Sequence, residues 1–362
     1  MQAYPGGATP QAFDRFVVMP YADEIAQLPA SYARALEHDV SAFAGWLRAQ
    51  RDRSLAAVGA GGSLSVAQLA AQLHEQATGR VSRACEPMDV YLAPRPLSGA
   101  AVLQVTAGGS HGDAPEIARS AQRWSDQVGI FCGVTGSLVA REFGADIPVF
   151  AYPLLPATHG WVAVNVLLGQ AVVLLRAYHE AFPDVVGALP PSLDVFLEHG
   201  ATVEDNTRYW AAALRDVLAR PALFCLFGPE TRALAIDLDS KFTESGLGEL
   251  NLSEYRNFAH GRYQSLLSRR DEIGVIAFYT PREAVIALDV DQSLGGWVPH
   301  AAVPIGHEDA ASYLIAQLVQ LFVIVGALSE VRGADVGWGS RNSFGDPLYE
   351  RVPAIPPLPT TP

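Results

Sequence analysis

Two short stretches hold residue types whose spacing suits chemistry. In SLAAVGAGGSLSVAQ (54–68), an apolar run stops at Gly59, Gly61 and Gly62, and Ser63 opens an alanine-rich segment of helical period. Glycines permit a tight turn and a close approach of backbone to ligand, and the free N–H groups at a helix start favour an anion. Ser63 suits either a helix cap or a hydroxyl donor to a phosphate oxygen. The pattern is not the dinucleotide fingerprint, because the next fingerprint glycine would fall on Leu64. In the second stretch Asp237, Lys241 and Glu244 stand at i, i+4 and i+7, so they share one face of a helix. Lys241 is expected to keep Glu244 ionised and to lower its proton affinity. By pattern alone, such a stripe is most often a solvated surface face.

The histidines are dispersed. His111 lies in GGSHGD, His159 in THGW, His260 in NFAHGR, and His300 and His307 bracket one segment. None has metal-ligand spacing with a second ligand, so no metal site is expected. GAGGSLS also departs from the G-x-S-x-G elbow, which argues against a serine hydrolase built on Ser63.

The elements that must position these groups read as alternating strands and helices. Residues 21–52 read as one or two helices. Strand candidates at 54–59, 88–92, 101–106, 128–134 and 149–152 then alternate with helices at 63–77, 115–126 and 137–143. A long apolar helix over about 161–182 closes this unit, and 183–191 is the linker candidate. The second half repeats the scheme: a helix over 202–219, a strand at 222–227 stopping at Gly228-Pro229, and a helix over 230–244. Strands at 273–279 and around 297–304 follow, with a helix near 281–289 and a last long helix from about 309. SLAAVGAGGS and ALFCLFGPET occupy equivalent places in the two halves. The expected fold is α/β: two tandem αβα three-layer sandwiches with parallel sheets, residues 1–190 and 191–362.

Composition narrows the class. A chain of 362 residues, 49% hydrophobic and 17% charged, suits two globular α/β units. A net charge of −13 argues against nucleic acid or an anionic membrane as the main partner. Cys85, Cys132 and Cys225 are scattered, which fits free thiols in a reducing cytoplasm. The first residues lack a basic region followed by an apolar core, so no signal peptide is expected. The apolar segment 313–328 is broken by Gln317 and Gln320 and is short for a bilayer, so it reads as a core helix. The Pro-rich end, VPAIPPLPTTP, reads as extended chain.

In this order the motifs resemble the SIS (sugar isomerase) family, specifically tandem members such as the isomerase half of glucosamine-6-phosphate synthase. GAGGSLSVAQLAA looks like the family's first phosphate loop, and VTAGGSHGDAPEIARSAQ sits where the family has SxSGxTxE. VGIFCGVTGSLVAREFGAD is similar to the fourth strand and its continuation, which places Ser137 at the pocket. LNLSEYRNFAHGR resembles the GELKHGP segment and places His260 on the family's histidine. Glu244, sixteen residues earlier, falls on the catalytic carboxylate. RGADVGWGSRN looks like RGTDVDxPRN, covering Arg332, Gly333, Asp335, Arg341 and Asn342.

The resemblance implies a cofactor-independent enzyme acting on a phosphorylated sugar or sugar conjugate. It would be an aldose–ketose isomerase, or a related deglycase, moving a proton through an enediol. Glu244 would carry the proton and His260 would open the ring. Gly61, Gly62, Ser63, Gly109, Ser110, His111 and Ser137 would hold substrate or phosphate, with Asp237, Lys241 and Arg341 in support. Glu249 and Glu254 would cover loop surface or bind ligand hydroxyls. The resemblance also implies a homodimer in which His260 reaches the site from the partner subunit. Two departures stand out. Gly108, Gly109, Ser110, His111, Gly112 and Asp113 replace most hydroxyls of the second loop, where either His111 or Ala114 pairs with the family's threonine. The family's tail lysine falls on Gly345. The alternative expectation is therefore a sugar-phosphate-binding sensor without catalysis.

Overall fold

The computed structural model describes residues 19–93, 99–153, 161–306, 310–337 and 348–349. Three leading helices, α1 (Tyr21–Ile25), α2 (Leu28–Glu37) and α3 (Ser41–Ala49), precede β1 (Ser54–Val58) and α4 (Gly62–Thr78). Then come β2 (Arg83–Cys85), α5 (Pro87–Tyr91), β3 (Ala100–Thr106), α6 (Asp113–Trp124), β4 (Val128–Cys132), α7 (Leu138–Phe143), β5 (Val149–Ala151) and α8 (Asn165–Ala181). After a turn of 3-10 helix at Leu193–Phe196, α9 (Val203–Ala213) and α10 (Arg215–Leu218) lead into β6 (Ala222–Phe227) and α11 (Arg232–Glu244). The chain continues through β7 (Glu249–Glu254), α12 (Tyr255–Asn257), a wide helical turn at Phe258–Arg262 and α13 (Gln264–Ser268). It closes with β8 (Ile273–Tyr279), α14 (Ala284–Leu294), β9 (His300–Pro304) and α15 (Ala310–Arg332).

The strands form two parallel sheets, ordered β2-β1-β3-β4-β5 and β7-β6-β8-β9. Every pairing is parallel, as expected where helices cross between strands. Runs such as ALFCLF in β6 are buried at every position, the pattern of strands covered on both faces. One face of each sheet packs on a shared layer containing α2, α4, α8, α9, α11 and α15, whose apolar residues form one continuous core. The opposite faces carry separate clusters, one around Ile117 and Val139, the other around Tyr255, Phe258 and Leu266.

Three expectations need correction. Residues 88–92 are not a strand but lie largely in α5. Pro87 presets the first helical turn, and Glu86 and Asp89 satisfy each other's backbone in a capping box, so the chain turns helical once β2 ends at Cys85. The edge strand β7 was absent from the sequence reading; its Glu-Leu-Asn-Leu alternation is that of a half-exposed strand, short of apolar content. The last helix also exceeds the expectation of a segment too short for a bilayer. Its stretch 312–332 is long and apolar enough to cross a membrane, but 83% of the most apolar window is buried within the protein, where it packs in the shared core.

Candidate functional site

At the end of β1 the chain must turn sharply. A Cβ on Gly59 would sit 2.4 Å from the Ser63 carbonyl oxygen, so only glycine fits there. Gly61 adopts φ +53° just before α4, a conformation that favours glycine, and Gly62 packs against Leu167. Ser63 is in the first turn of α4; its side chain is nearly buried and makes no hydrogen bond among the described residues. The loop thus presents a helix start and a hydroxyl at the C-terminal edge of the first sheet, where parallel sheets bind ligands.

Glu244 comes to this loop from the other sheet. It ends α11, which packs antiparallel against α4, and its Oε1 lies 3.8 Å from where a Cβ on Gly61 would be. The Ser240 hydroxyl, one turn earlier, donates to the same oxygen at 2.6 Å, and the Trp161 indole N–H donates to the Glu244 backbone carbonyl at 3.3 Å. The Glu244 side chain is exposed, yet the protein around its carboxylate still withdraws part of its water. That partial desolvation raises its pKa, opposed by the Ser240 hydrogen bond and the Lys241 charge. Sequence reasoning expected Lys241 to lower the proton affinity of Glu244. Lys241 does pull that way, but burial outweighs it and the net direction is upward.

Lys241 is engaged elsewhere. Its ammonium lies 2.6 Å from Asp237 Oδ2 and 5.1 Å from the centre of the Phe322 ring, and the Ser65 hydroxyl donates to Asp237 Oδ1 at 3.0 Å. Asp237 and Lys241 are both buried, so the stripe is not a solvated face. Burial pushes the Asp237 carboxyl upward while Lys241 and Ser65 hold it down. The Ser65–Asp237 hydrogen bond ties α11 to α4, which sets where Glu244 ends up.

The second and third loops meet each other. Gly109, at φ +62°, leaves no room for a Cβ, which would lie 2.8 Å from Ser137 Oγ and from Cys132 Sγ. Ser137 is fully buried, and its hydroxyl caps α7 by accepting the Ala140 N–H. Ser110 is half-buried, with its hydroxyl 3.5 Å from the Gly108 carbonyl. Ala114 is buried inside α6, so His111 is the loop residue. The Asp113 N–H donates to His111 Nδ1 at 3.2 Å, which leaves Nε2–H to donate to the Tyr349 carbonyl at 2.6 Å. The Tyr91 hydroxyl in turn donates to Asp113 Oδ1 at 2.9 Å.

One chain does not bring His260 to Glu244. α11 covers the inner face of the second sheet, with Phe242 in the shared core, whereas Phe258 and Leu266 pack the segment bearing His260 on the opposite face. A helix layer on each side of a sheet puts the two residues on the order of 20 Å apart. His260 is exposed in the wide turn Phe258–Arg262. Among the motif residues near the C-terminus, the Arg332 guanidinium donates to the carbonyls of Leu218, Arg220 and Leu247, and Asp335 Oδ1 accepts the Tyr21 and Gly337 N–H groups. These contacts close the fold. Arg341 and Asn342 lie outside the described residues, as do His159, His307 and Gly345.

At the second sheet, the turn equivalent to the first loop is already filled. Glu283, from the loop after β8, accepts the Glu230 N–H on Oε1 at 2.8 Å and the Thr280 N–H on Oε2 at 3.1 Å. The Thr231 hydroxyl lies 3.2 Å from Oε2, and a Cβ on Gly228 would meet Oε1 at 2.1 Å. Sequence reasoning missed both Glu283 and Ser240. Ser240 had a signal, its i, i+4 spacing to Glu244, whereas Glu283 is distant in sequence from the turn it fills. Two cavities, of about 350 and about 300 Å³, lie away from all these loops. The first opens beside Gln127 and Val128 at the N-terminal edge of β4, the edge opposite to the one where parallel sheets take ligands.

No family model matches the chain, and no curated protein sequence does so either. Solved structures do match over most of its length. A candidate phosphosugar isomerase from Silicibacter pomeroyi DSS-3 aligns with TM-score 0.72 and 21% identity, covering 88% of this chain and 100% of that one. The C-terminal domain of glucosamine-fructose-6-phosphate aminotransferase from Francisella tularensis aligns with TM-score 0.67 and 12% identity, over 88% and 97%. Glucosamine-6-phosphate deaminase from Thermotoga maritima aligns with TM-score 0.64 and 12% identity, over 87% and 96%. With its two parallel sheets, its loops and this likeness taken together, the chain has the SIS-type fold, the architecture of phosphosugar isomerases.

Proposed function

We propose that the protein is a cytoplasmic, cofactor-independent enzyme acting on a phosphorylated sugar or sugar conjugate by enediol proton transfer, as an isomerase or a deglycase. The observation that carries this reading is the juxtaposition of Glu244 with the first Gly-rich loop, Oε1 lying 3.8 Å from the Cβ position of Gly61. A carboxylate whose proton affinity is raised, beside a turn suited to an anion, is what proton transfer next to a phosphate-anchored carbonyl requires. The anion would rest on Gly61, Gly62 and Ser63, with Gly109, Ser110, His111 and Ser137 framing the second and third loops.

In this reading the working unit is a homodimer of tandem SIS units, residues 1–190 and 191–362, and His260 opens the sugar ring in the partner's site. The separation of His260 from Glu244 across the second sheet supports donation in trans. The test is solvent exchange: in D₂O, a substrate phosphosugar should gain deuterium at C1 or C2, and Glu244→Gln should bind it without exchange. Binding without exchange by the wild type across a broad panel of phosphosugars would favour a second reading, a sugar-phosphate sensor. That reading draws on the second loop, where His111 is held by Asp113 and Tyr349 and most of the hydroxyls are absent.

A further inference from the structure

We propose that Ser240 is a positioning residue for Glu244: it fixes Oε1, leaves Oε2 to exchange the proton, and sets the proton affinity of the carboxyl group. This rests on the reading above, in which Glu244 carries the proton. The Ser240 hydroxyl and Glu244 Oε1 are 2.6 Å apart, one turn apart on α11, and Oε1 is also the oxygen facing Gly61. Oε2 makes no hydrogen bond among the described residues.

A hydroxyl suits this place better than a cation. A proton carrier alternates between carboxylate and carboxylic acid. With the proton on Oε2, Oε1 stays an acceptor, so a serine donates to it in both states, more strongly to the carboxylate, and adds no fixed charge, whereas lysine or arginine would hold the group ionised. The nearest cation, Lys241, is committed to Asp237. The groups facing the carboxylate are therefore Ser240, Lys241 and Asp237 from its own helix and the Gly61 backbone from the first loop. Trp161 touches only the backbone carbonyl of Glu244. Donation from Ser240 favours the ionised form and moderates the upward pull of burial.

The test reads Glu244 directly, by carbon NMR titration of glutamate-labelled protein, with Glu244→Gln used to assign the signal. Ser240→Ala should raise the apparent pKa of Glu244 by about one pH unit, and Ser240→Thr should restore it. Alanine favours a helix, so both variants should fold. An unchanged titration in Ser240→Ala, or an equal displacement in Ser240→Thr, overturns the proposal. A displaced titration upholds it even if the pH dependence of deuterium exchange stays fixed, and in that event Glu244 loses its role as proton carrier.

Discussion

The Lys241 ammonium sits 2.6 Å from Asp237 Oδ2 at the packing seam of α4 and α11, and neither side chain reaches solvent. A charge there survives only with its partner. Lys241→Met should destabilise the protein by about 3–5 kcal/mol, because it strands the Asp237 carboxylate in the core. Replacing both, with Asp237→Leu and Lys241→Met together, should recover most of that loss. Urea unfolding of the three proteins checks this, and a double variant as unstable as the single one would count against a buried pair of this kind.

Glu244 links stability to pH. Its pKa in the fold lies above the ordinary carboxylate value, so in the window between the two the folded state binds more protons and stability falls as pH rises. Glu244→Gln removes that loss. The variant should therefore gain stability relative to the wild type as pH rises above the ordinary carboxylate range. Thermal melts across that range would show it, and a constant difference would mean the carboxyl is not perturbed.

Subunit mixing tests donation of His260 in trans. Glu244→Gln and His260→Ala homodimers should each be inactive. After exchange, each heterodimer should hold one site with both groups and one with neither, so about half its sites recover under two-fold symmetry. No recovery after verified exchange, or a monomeric mass in solution, removes the shared site.

Glu283→Ala should cost about 2–3 kcal/mol, since it leaves the buried Thr280 N–H and the part-buried Glu230 N–H without an acceptor. Formate should restore part of this stability, and chloride at equal ionic strength should not. Melting curves in each salt, set against the same salts with the wild type, isolate the rescue.

Much of the scaffold was legible because buried parallel strands are continuous apolar runs. β6 and β8 were placed at their observed bounds, 222–227 and 273–279. β7 escaped because an edge strand needs little apolar content. The burial of Asp237 and Lys241 is not legible in helical period, which by itself favours a solvated face, because it depends on α4 from the other half of the chain. Glu244 was singled out by family resemblance. Its approach to Gly61 joins residues 183 positions apart and emerged only from the packing of two helices. The sign of its pKa change likewise depended on how tightly that packing closes around it.

Glu283 gives the two similarly built halves different standing toward dissolved anions. A carboxylate carried on the neighbouring loop is a tethered ligand, and its effective concentration at the Glu230 and Thr280 amides exceeds what a flexible tether provides. Phosphate in free solution competes poorly with it while Glu283 is ionised, so the second sheet's turn is filled from within. On the proposed reading, a titration with a small anion should register the first loop and not this turn. One side chain thus fills the turn of the second sheet from within, whereas the first loop has the Ser63 hydroxyl free of any hydrogen bond among the described residues.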